Sequence, residues 1–133
     1  VVNFRLLPGD TVADVRAHVI RAIDDDAITV HDDPAQSQEA SPAADARGAG
    51  FAILRKTVEQ VFPDAIVVPG LVVGATDLRH YVDVIDARYN FSPGRLQAAD
   101  LERIHGVDER VSVAEFADMV RFYRQLLDNL SAS

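Results

Sequence analysis

Apolar residues recur every three or four positions in three segments of the chain, which is the spacing of one face of an α-helix. The three segments are residues 12–23, 51–61 and 113–130. Thr11 with Asp14, and Ser112 with Glu115, stand at the spacing of capping boxes and mark the starts of the first and last helices. The predicted core face of the last helix consists of Phe116, Met119, Tyr123, Leu126 and Leu130.

Shorter apolar segments lie between these helices and predict β-strands. Residues 2–6 alternate apolar and polar side chains, as in a half-buried strand, whereas residues 65–68 are continuously apolar, as in a strand buried on both faces. The full set of predicted strands is 2–6, 27–31, 65–68, 71–73 and 87–91. Thr76 and Asp77 are expected to cap a further short helix that continues through Val84.

Residues 32–49 differ from the rest, because Pro, Ser, Gln, Ala and Gly occur there without an apolar period. This segment is predicted to be a linker between residues 1–31, which form part of an α+β unit, and residues 50–133, which form an α/β unit. The predicted fold class is therefore α/β. The sequence begins as though already inside a strand, so we expect it to be a fragment of a longer protein.

Composition and charge restrict the classes of partner. Apolar residues make up 48% of the chain and charged residues 26%, as in a soluble globular protein, and the formal net charge is -8. An acidic surface repels phosphate groups, so neither nucleic acid nor a membrane surface is an expected partner. The absence of cysteine excludes disulfides and thiolate metal sites. It leaves the compartment open, with a cytoplasmic location favoured.

Four histidines are the candidates for metal binding. His18 lies beside the apolar face of the first helix and is expected at the surface, and His80 is expected to pack or to form hydrogen bonds. His31 and Asp33 form a His-x-Asp pattern that can hold a metal ion, but the polar segment after them favours an ordinary loop.

His105 occupies a loop just before the last helix, where a rigid element can anchor a metal ligand. Gly106 follows it and can adopt a positive φ or let the backbone approach a ligand. Asp108 and Glu109 can accept a hydrogen bond from the imidazole N–H. On spacing alone, metal ligation by His105 is the less favoured of two interpretations, and an ordinary loop histidine is the other.

The segment 74–79 follows a predicted strand and opens a helix, so its amides and the Arg79 guanidinium can bind an anion. A tight turn with a surface arginine explains the same pattern equally well. Arg5 stands in a predicted apolar strand and needs a partner there, for which an ion pair with an aspartate is favoured over substrate binding.

Four segments, taken in order, resemble the co-catalytic zinc exopeptidases and amidohydrolases. The segments are residues 3–11, 69–81, 89–93 and 104–111, the last reading Ile-His-Gly-Val-Asp-Glu-Arg-Val. That family includes aminoacylase, succinyl-diaminopimelate desuccinylase and glutamate carboxypeptidase, and the resemblance is in particular to its carboxypeptidase S branch. It covers nearly the whole chain and matches only the C-terminal portion of a family member.

The resemblance implies a location and a role for each candidate residue. Residues 1–31 correspond to part of a ferredoxin-like lid, and residues 50–133 to the final section of a zinc-exopeptidase catalytic domain. His105 corresponds to a metal ligand, and Arg5 to a lid arginine that grips the carboxylate of the substrate. The residues that correspond to the pocket lining near that carboxylate are Gly74, Thr76 and Arg79.

The resemblance also implies the reaction and the partners. The intact protein is expected to be a dinuclear zinc metallohydrolase that cleaves an amide bond next to a free carboxylate, in a small peptide or an N-acyl amino acid. Two zinc ions need several ligands and a general base, and this chain supplies only His105. The chain alone is therefore expected to be inactive and to need the missing N-terminal part as its partner.

Lids of this family often pair two copies, so a homodimer through the lid is a further partner that the resemblance allows. The alternative function is a non-catalytic module in which this lid-derived surface mediates dimerisation or another interaction.

Overall fold

The structure is a computed structural model, and it describes residues 1–72, 74 and 76–132. Its helices are α1 (Val12–Ile23), α2 (Ala49–Val61), a 3₁₀ helix (Asp77–Tyr81), α3 (Ala98–Leu101) and α4 (Val113–Ser131). The chain divides into two compact units. The first comprises Val1–Ala44 and Leu71–Asp86, and the second comprises Asp45–Gly70 and Ala87–Ser133.

Helix α1 begins where its capping box predicts. The Thr11 hydroxyl accepts a hydrogen bond from the Asp14 backbone N–H at 3.1 Å, and the Asp14 carboxylate accepts one from the Thr11 N–H at 3.3 Å. The helix ends at Asp24, which adopts a left-handed conformation with φ 48°. The helix therefore spans residues 12–23, as its apolar spacing predicts.

Part of the predicted linker contacts α1. The Glu39 carboxylate accepts a hydrogen bond from the Val12 N–H at 3.1 Å, which satisfies one of the free amides in the first turn of the helix. Arg16 forms an ion pair with Asp32, with 3.2 Å between Nε and Oδ1. These contacts attach residues 32–39 to the first compact unit, and the predicted division into lid, linker and catalytic section stays a prediction.

The second unit is built on the packing of α2 against α4. Phe122 of α4 is fully buried, and Val58 and Phe62 complete the core cluster around it. The Phe122 ring lies 6.3 Å from that of Phe62 and 5.1 Å from that of Phe91, centroid to centroid. Burying aromatic rings of this size provides much of the free energy that holds two helices together.

A buried polar network accompanies these apolar contacts. The Asn129 side-chain amide donates to the Thr57 hydroxyl at 2.9 Å and to the Gln60 carbonyl oxygen at 2.8 Å. Thr57 is fully buried and donates in turn to the Ile53 carbonyl oxygen at 2.8 Å. Because each buried polar atom has a partner, the network does not oppose burial and it selects one alignment of α4 on α2.

The predicted core face of α4 is wrong in part. Phe116, Tyr123 and Leu130 are exposed, whereas Phe122 and Asn129 are the buried residues of this helix. The reason is that α4 has two adjacent apolar faces, and spacing alone does not decide which of them packs. The second face remains exposed and carries Phe116, Val120, Tyr123 and Leu127.

The predicted strands are not formed in the part of the chain that the structure describes, where the regular elements are helical. A β-strand requires a neighbouring strand to pair its backbone groups, and no described segment provides one. Residues 65–68 are not buried on both faces, because Val67 packs against the core cluster while Ile66 is 90% exposed. The predicted strand at 71–73 includes Val73, which lies outside the described residues.

The predicted helix through Val84 is shorter than expected, because the 3₁₀ helix ends at Tyr81. Among the described residues, no helix combines the length and the apolar character required to cross a bilayer.

Replacing Asn129 with Ala should lower the free energy of unfolding by about 1–3 kcal/mol, because two hydrogen bonds between buried or half-buried groups are lost. Urea unfolding followed by far-UV circular dichroism measures this change. The matched control is Asp128→Ala at an exposed neighbouring position, for which a change within about 0.5 kcal/mol is expected. Equal effects of the two substitutions would show that the buried network contributes nothing.

An ion pair attaches the segment after Phe91 to the end of α2. The two Arg95 guanidinium nitrogens bind the two Asp64 carboxylate oxygens at 2.8 and 2.7 Å, and the guanidinium carbon lies 5.2 Å from the centroid of the Phe62 ring. The hydrogen bonds from Arg95 lower the pKa of Asp64 from 3.8 to about 2, and the same pair raises the pKa of Arg95.

Because the pKa of Asp64 is lower in the folded protein, the stabilisation that the pair provides is present above pH 3.8 and is lost as the pH falls towards 2. NMR titration of the Asp64 carboxyl carbon should give a midpoint near 2. In Arg95→Gln the midpoint should move towards 3.8. Arg55→Gln is the control, since Arg55 also lies over an aromatic ring but does not bind Asp64, and it should leave the midpoint unchanged.

Candidate functional site

His105 lies in a tight loop between α3 and α4. Its backbone is left-handed, with φ 61°, a conformation that costs a residue with a side chain about 1–2 kcal/mol. The side chain is exposed, and its imidazole makes no hydrogen bond to any residue that the structure describes. Residues with a side chain adopt the left-handed conformation in ordinary turns as well as at functional sites, and histidine is among the residue types enriched in it.

Of the two possibilities that the sequence left open for Gly106, a positive φ is not adopted, because the left-handed residues of this loop are His105 and Asp108. The Gly106 N–H donates to the Arg103 carbonyl oxygen at 2.8 Å. A Cβ atom at position 106 would lie 3.3 Å from the carbonyl oxygens of Glu102 and Arg103. Glycine is therefore favoured here for its small size.

The two acidic residues after Gly106 have contacts that differ from the predicted ones. The Glu109 carboxylate accepts a hydrogen bond from the backbone N–H of His105 at 3.2 Å, and not from its imidazole. Asp108 lies 3.7 Å from Arg110 in an exposed ion pair. The sequence predicted an acceptor for the imidazole N–H at these positions, and it gave no signal for the contact of Glu109 with the backbone.

Arg5 is exposed, and among the described residues it has no ion-pair partner. The favoured expectation of an ion pair with an aspartate is therefore wrong for the part of the chain that the structure describes. The physical reason is that Arg5 is not in a buried strand, so its guanidinium remains hydrated without a partner.

The segment 74–79 places Thr76 and Arg79 around a short 3₁₀ helix, and Ala75 lies outside the described residues. The Thr76 carbonyl oxygen accepts from the Arg79 N–H at 3.2 Å. A Cβ atom at Gly74 would meet only Val72 Cγ1, at 4.0 Å. A helix of five residues has a small dipole, so its amides attract an anion less strongly than the predicted longer helix would.

Arg79 makes a hydrogen bond with its neighbour in sequence. Its Nε–H donates to His80 Nε2 at 3.1 Å. Both side chains are exposed, and the terminal nitrogens of the guanidinium stay available. This contact confirms the prediction that His80 forms hydrogen bonds.

A shallow cavity of about 240 Å³ lies in the first unit at the start of α1. Its lining consists of Phe4, Asp10, Asp14, Val15 and His18. The two carboxylates already accept backbone hydrogen bonds, Asp10 from Leu7 at 3.3 Å and Asp14 from Thr11. His18 is exposed, as predicted.

The His31 and Asp33 pattern does not form a metal site among the described residues. Asp33 instead organises a turn, because its carboxylate accepts from the Ala35 N–H at 3.0 Å. In the described part of the chain, no group of three or more His, Cys, Asp or Glu side chains comes together to hold a metal ion. A zinc site needs about four ligands, so the described residues do not form one by themselves.

The five predicted site residues are divided between the two compact units. Arg5, Gly74, Thr76 and Arg79 belong to the first unit, and His105 belongs to the second. The predicted roles of all five stay predictions.

Comparison with known proteins identifies the family of the chain. Probable carboxypeptidase S-like 2 of Dictyostelium discoideum is 35% identical over 128 residues, which are 96% of this chain and 24% of that protein. N-fatty-acyl-amino acid synthase/hydrolase PM20D1 of Bos taurus is 35% identical over 130 residues, which are 97% of this chain and 26% of that protein. Probable carboxypeptidase S-like 1 of Dictyostelium discoideum is 30% identical over 130 residues, with coverages of 96% and 26%.

No family model and no solved structure matches the chain. Each of these relatives nevertheless matches almost the whole length of the chain, and the family predicted from the four motifs is confirmed. The chain is homologous to carboxypeptidase S-like proteins and to N-fatty-acyl-amino acid synthase/hydrolases, relatives that belong to the M20 peptidase family. It spans about a quarter of the length of the curated relatives it matches.

Proposed function

We propose that this chain is a portion of a dinuclear zinc metallohydrolase that cleaves an amide bond next to a free carboxylate. The supporting observation is the match of 96% of the chain to a carboxypeptidase S-like protein, together with an exposed histidine held in a left-handed loop within the family motif. Small peptides and N-acyl amino acids are the proposed substrates, which is consistent with the printed descriptions of the relatives.

His105 is the proposed zinc ligand. A neutral imidazole binds zinc through one ring nitrogen, and an exposed side chain without a partner among the described residues is ready to do so without breaking another contact. The bound metal would polarise the scissile carbonyl group and lower the pKa of a water molecule. The remaining ligands and the general base would come from outside these 133 residues.

Arg5 and Arg79 are the proposed binding groups for the substrate carboxylate. A guanidinium binds a carboxylate through two parallel hydrogen bonds, which sets the orientation of the neighbouring amide as well as its position. Arg5 has no competing acid among the described residues, and Arg79 is engaged only through its Nε–H. Gly74 and Thr76 are proposed to line the pocket, where the absence of a side chain at Gly74 leaves room for a ligand.

The surface of the chain supports the proposal that the missing N-terminal part of the protein is its partner. The buried apolar core consists of Phe51, Val58, Phe62 and Phe122, whereas Ile66, Val68 and the second face of α4 remain exposed. Apolar patches of this kind mark contact surfaces. We propose that the rest of the enzyme covers these patches. The chain alone is proposed to be inactive because the patches are then uncovered and because the remaining zinc ligands are missing.

A second candidate is a dimerisation or interaction module formed by the lid-like residues 1–31. Exposed apolar side chains in this segment favour it, among them Val2, Phe4 and Ile20. Two copies of the proposed hydrolase can also pair through this surface. Dimerisation is therefore the sole function only if the chain never contributes to catalysis.

The isolated chain should neither hydrolyse an N-acyl amino acid nor take up two zinc ions, because it contributes one ligand of the several that two metals require. When it is produced together with the upstream part of its own coding sequence, the assembled protein should do both. Zinc content by mass spectrometry and turnover by amine release measure the two properties. His105→Ala in the assembled protein should reduce turnover by at least about 100-fold, and His18→Ala is the matched control at an exposed histidine.

Two results would contradict this proposal. One is tight binding of two zinc ions with turnover by the isolated chain. The other is full activity of the assembled protein carrying His105→Ala. A chain that forms dimers at micromolar concentration, and whose assembled form has no zinc and no turnover, would instead support the interaction module.

Arg5→Gln in the assembled protein should raise KM for an N-acyl amino acid by about 10- to 100-fold, because a charge-assisted pair with the substrate carboxylate is lost. The carboxamide analogue of the same substrate lacks that charge, so its hydrolysis should not respond to the substitution. Arg21→Gln, at another exposed arginine of the same unit, should leave both substrates unaffected. Equal losses with the acid and its carboxamide would exclude a carboxylate-binding role for Arg5.

A further inference from the structure

We propose that Glu109 is a positioning residue that holds the His105 backbone in its left-handed conformation, and so presents the imidazole for metal binding. This inference rests on the proposed role of His105 as a zinc ligand. The role of Glu109 itself is derived from the geometry of the loop.

The hydrogen bond from His105 N–H to the Glu109 carboxylate, at 3.2 Å, closes a loop of five residues. His105 has φ 61°, which is unfavourable for a residue with a side chain, so another interaction must offset the cost. The Glu109 carboxylate supplies such an interaction, and its hydrogen bond acts on the amide that belongs to the strained residue.

The conformation of His105 determines where its imidazole can lie. A change from φ 61° to the ordinary value near −63° rotates the side chain relative to the preceding peptide by about 120°. Such a rotation would move the imidazole away from the position in which the left-handed conformation presents it to a metal ion. Because φ is already held in this conformation, metal binding has a smaller entropic cost for ordering the loop.

The neighbouring charged groups do not duplicate this contact. Asp108 pairs with Arg110 at 3.7 Å, and Arg103 pairs with Asp100 at 2.9 Å. The Gly106 N–H is occupied by the Arg103 carbonyl oxygen. Of the acidic residues around the loop, Glu109 is therefore the one whose carboxylate the structure places on the His105 amide.

The first experiment uses the zinc-free chain and compares Glu109→Ala with Glu109→Gln. Amide hydrogen exchange and the HN–Hα coupling of His105, both measured by NMR, report the hydrogen bond and φ. Glu109→Ala should accelerate exchange of the His105 amide by about tenfold and change the coupling. Glu109→Gln keeps an acceptor oxygen and should restore much of the protection. Glu102→Gln is the control for the loss of a nearby exposed charge.

The second experiment measures zinc affinity in the assembled protein, where Glu109→Ala should weaken binding by about 10- to 100-fold, as expected for an outer partner of a metal ligand. Glu109→Gln should lose less. Circular dichroism of each variant checks that the helices are retained, and Glu109→Gln keeps the comparison informative if Glu109→Ala does not fold.

The outcomes separate this inference from the function on which it rests. If Glu109→Ala leaves the exchange and coupling of His105 unchanged, the positioning role is wrong, whatever His105 binds. If Glu109→Ala changes the exchange and the coupling of His105, but neither Glu109→Ala nor His105→Ala affects zinc affinity, then His105 is not a zinc ligand. Glu109 in that case only shapes the loop. If His105→Ala loses zinc and Glu109→Ala does not, the left-handed conformation is unnecessary for binding, and the inference fails.

Discussion

The packing of Phe122 between α2 and the segment after residue 87 is the interaction on which the second unit depends. Its fully buried ring contacts those of Phe62 and Phe91, so one side chain joins both helices to the chain that leads into α3. Since the His105 loop directly precedes α4, its C-terminal end is attached to a helix that this cluster orders. The anchoring of a candidate ligand thus begins with ordinary aromatic burial.

Polar groups add specificity to this small core. Asn129 with Thr57 selects one alignment of α4 on α2, and Arg95 with Asp64 attaches the following segment at the surface. Both pairs join residues far apart in sequence. A unit with few buried apolar side chains has little hydrophobic free energy to spare, so such contacts have a larger share in deciding its native conformation. Much apolar surface remains exposed, as expected for a chain that covers about a quarter of the length of its relatives.

Local chemistry explains which predictions succeeded. The capping boxes at Thr11 and Ser112 locate the starts of α1 and α4 because each box closes within four residues and needs no distant partner. The predicted strands fail for the opposite reason, since a strand exists only when another strand pairs with it. The family was predictable because its motifs are short ordered strings of residues, and 128 to 130 aligned residues support it.

By itself, therefore, the sequence determined the helix starts, the acidic charge, the family and the choice of His105 as the candidate ligand. Only the tertiary structure decided which of two apolar faces of α4 packs, because Phe122 and Tyr123 are equally suitable until α2 provides a surface. It also decided that His105, and not Gly106, is left-handed, and that Glu109 binds its amide. These outcomes depend on competition between neighbouring contacts in space, which residue spacing does not encode.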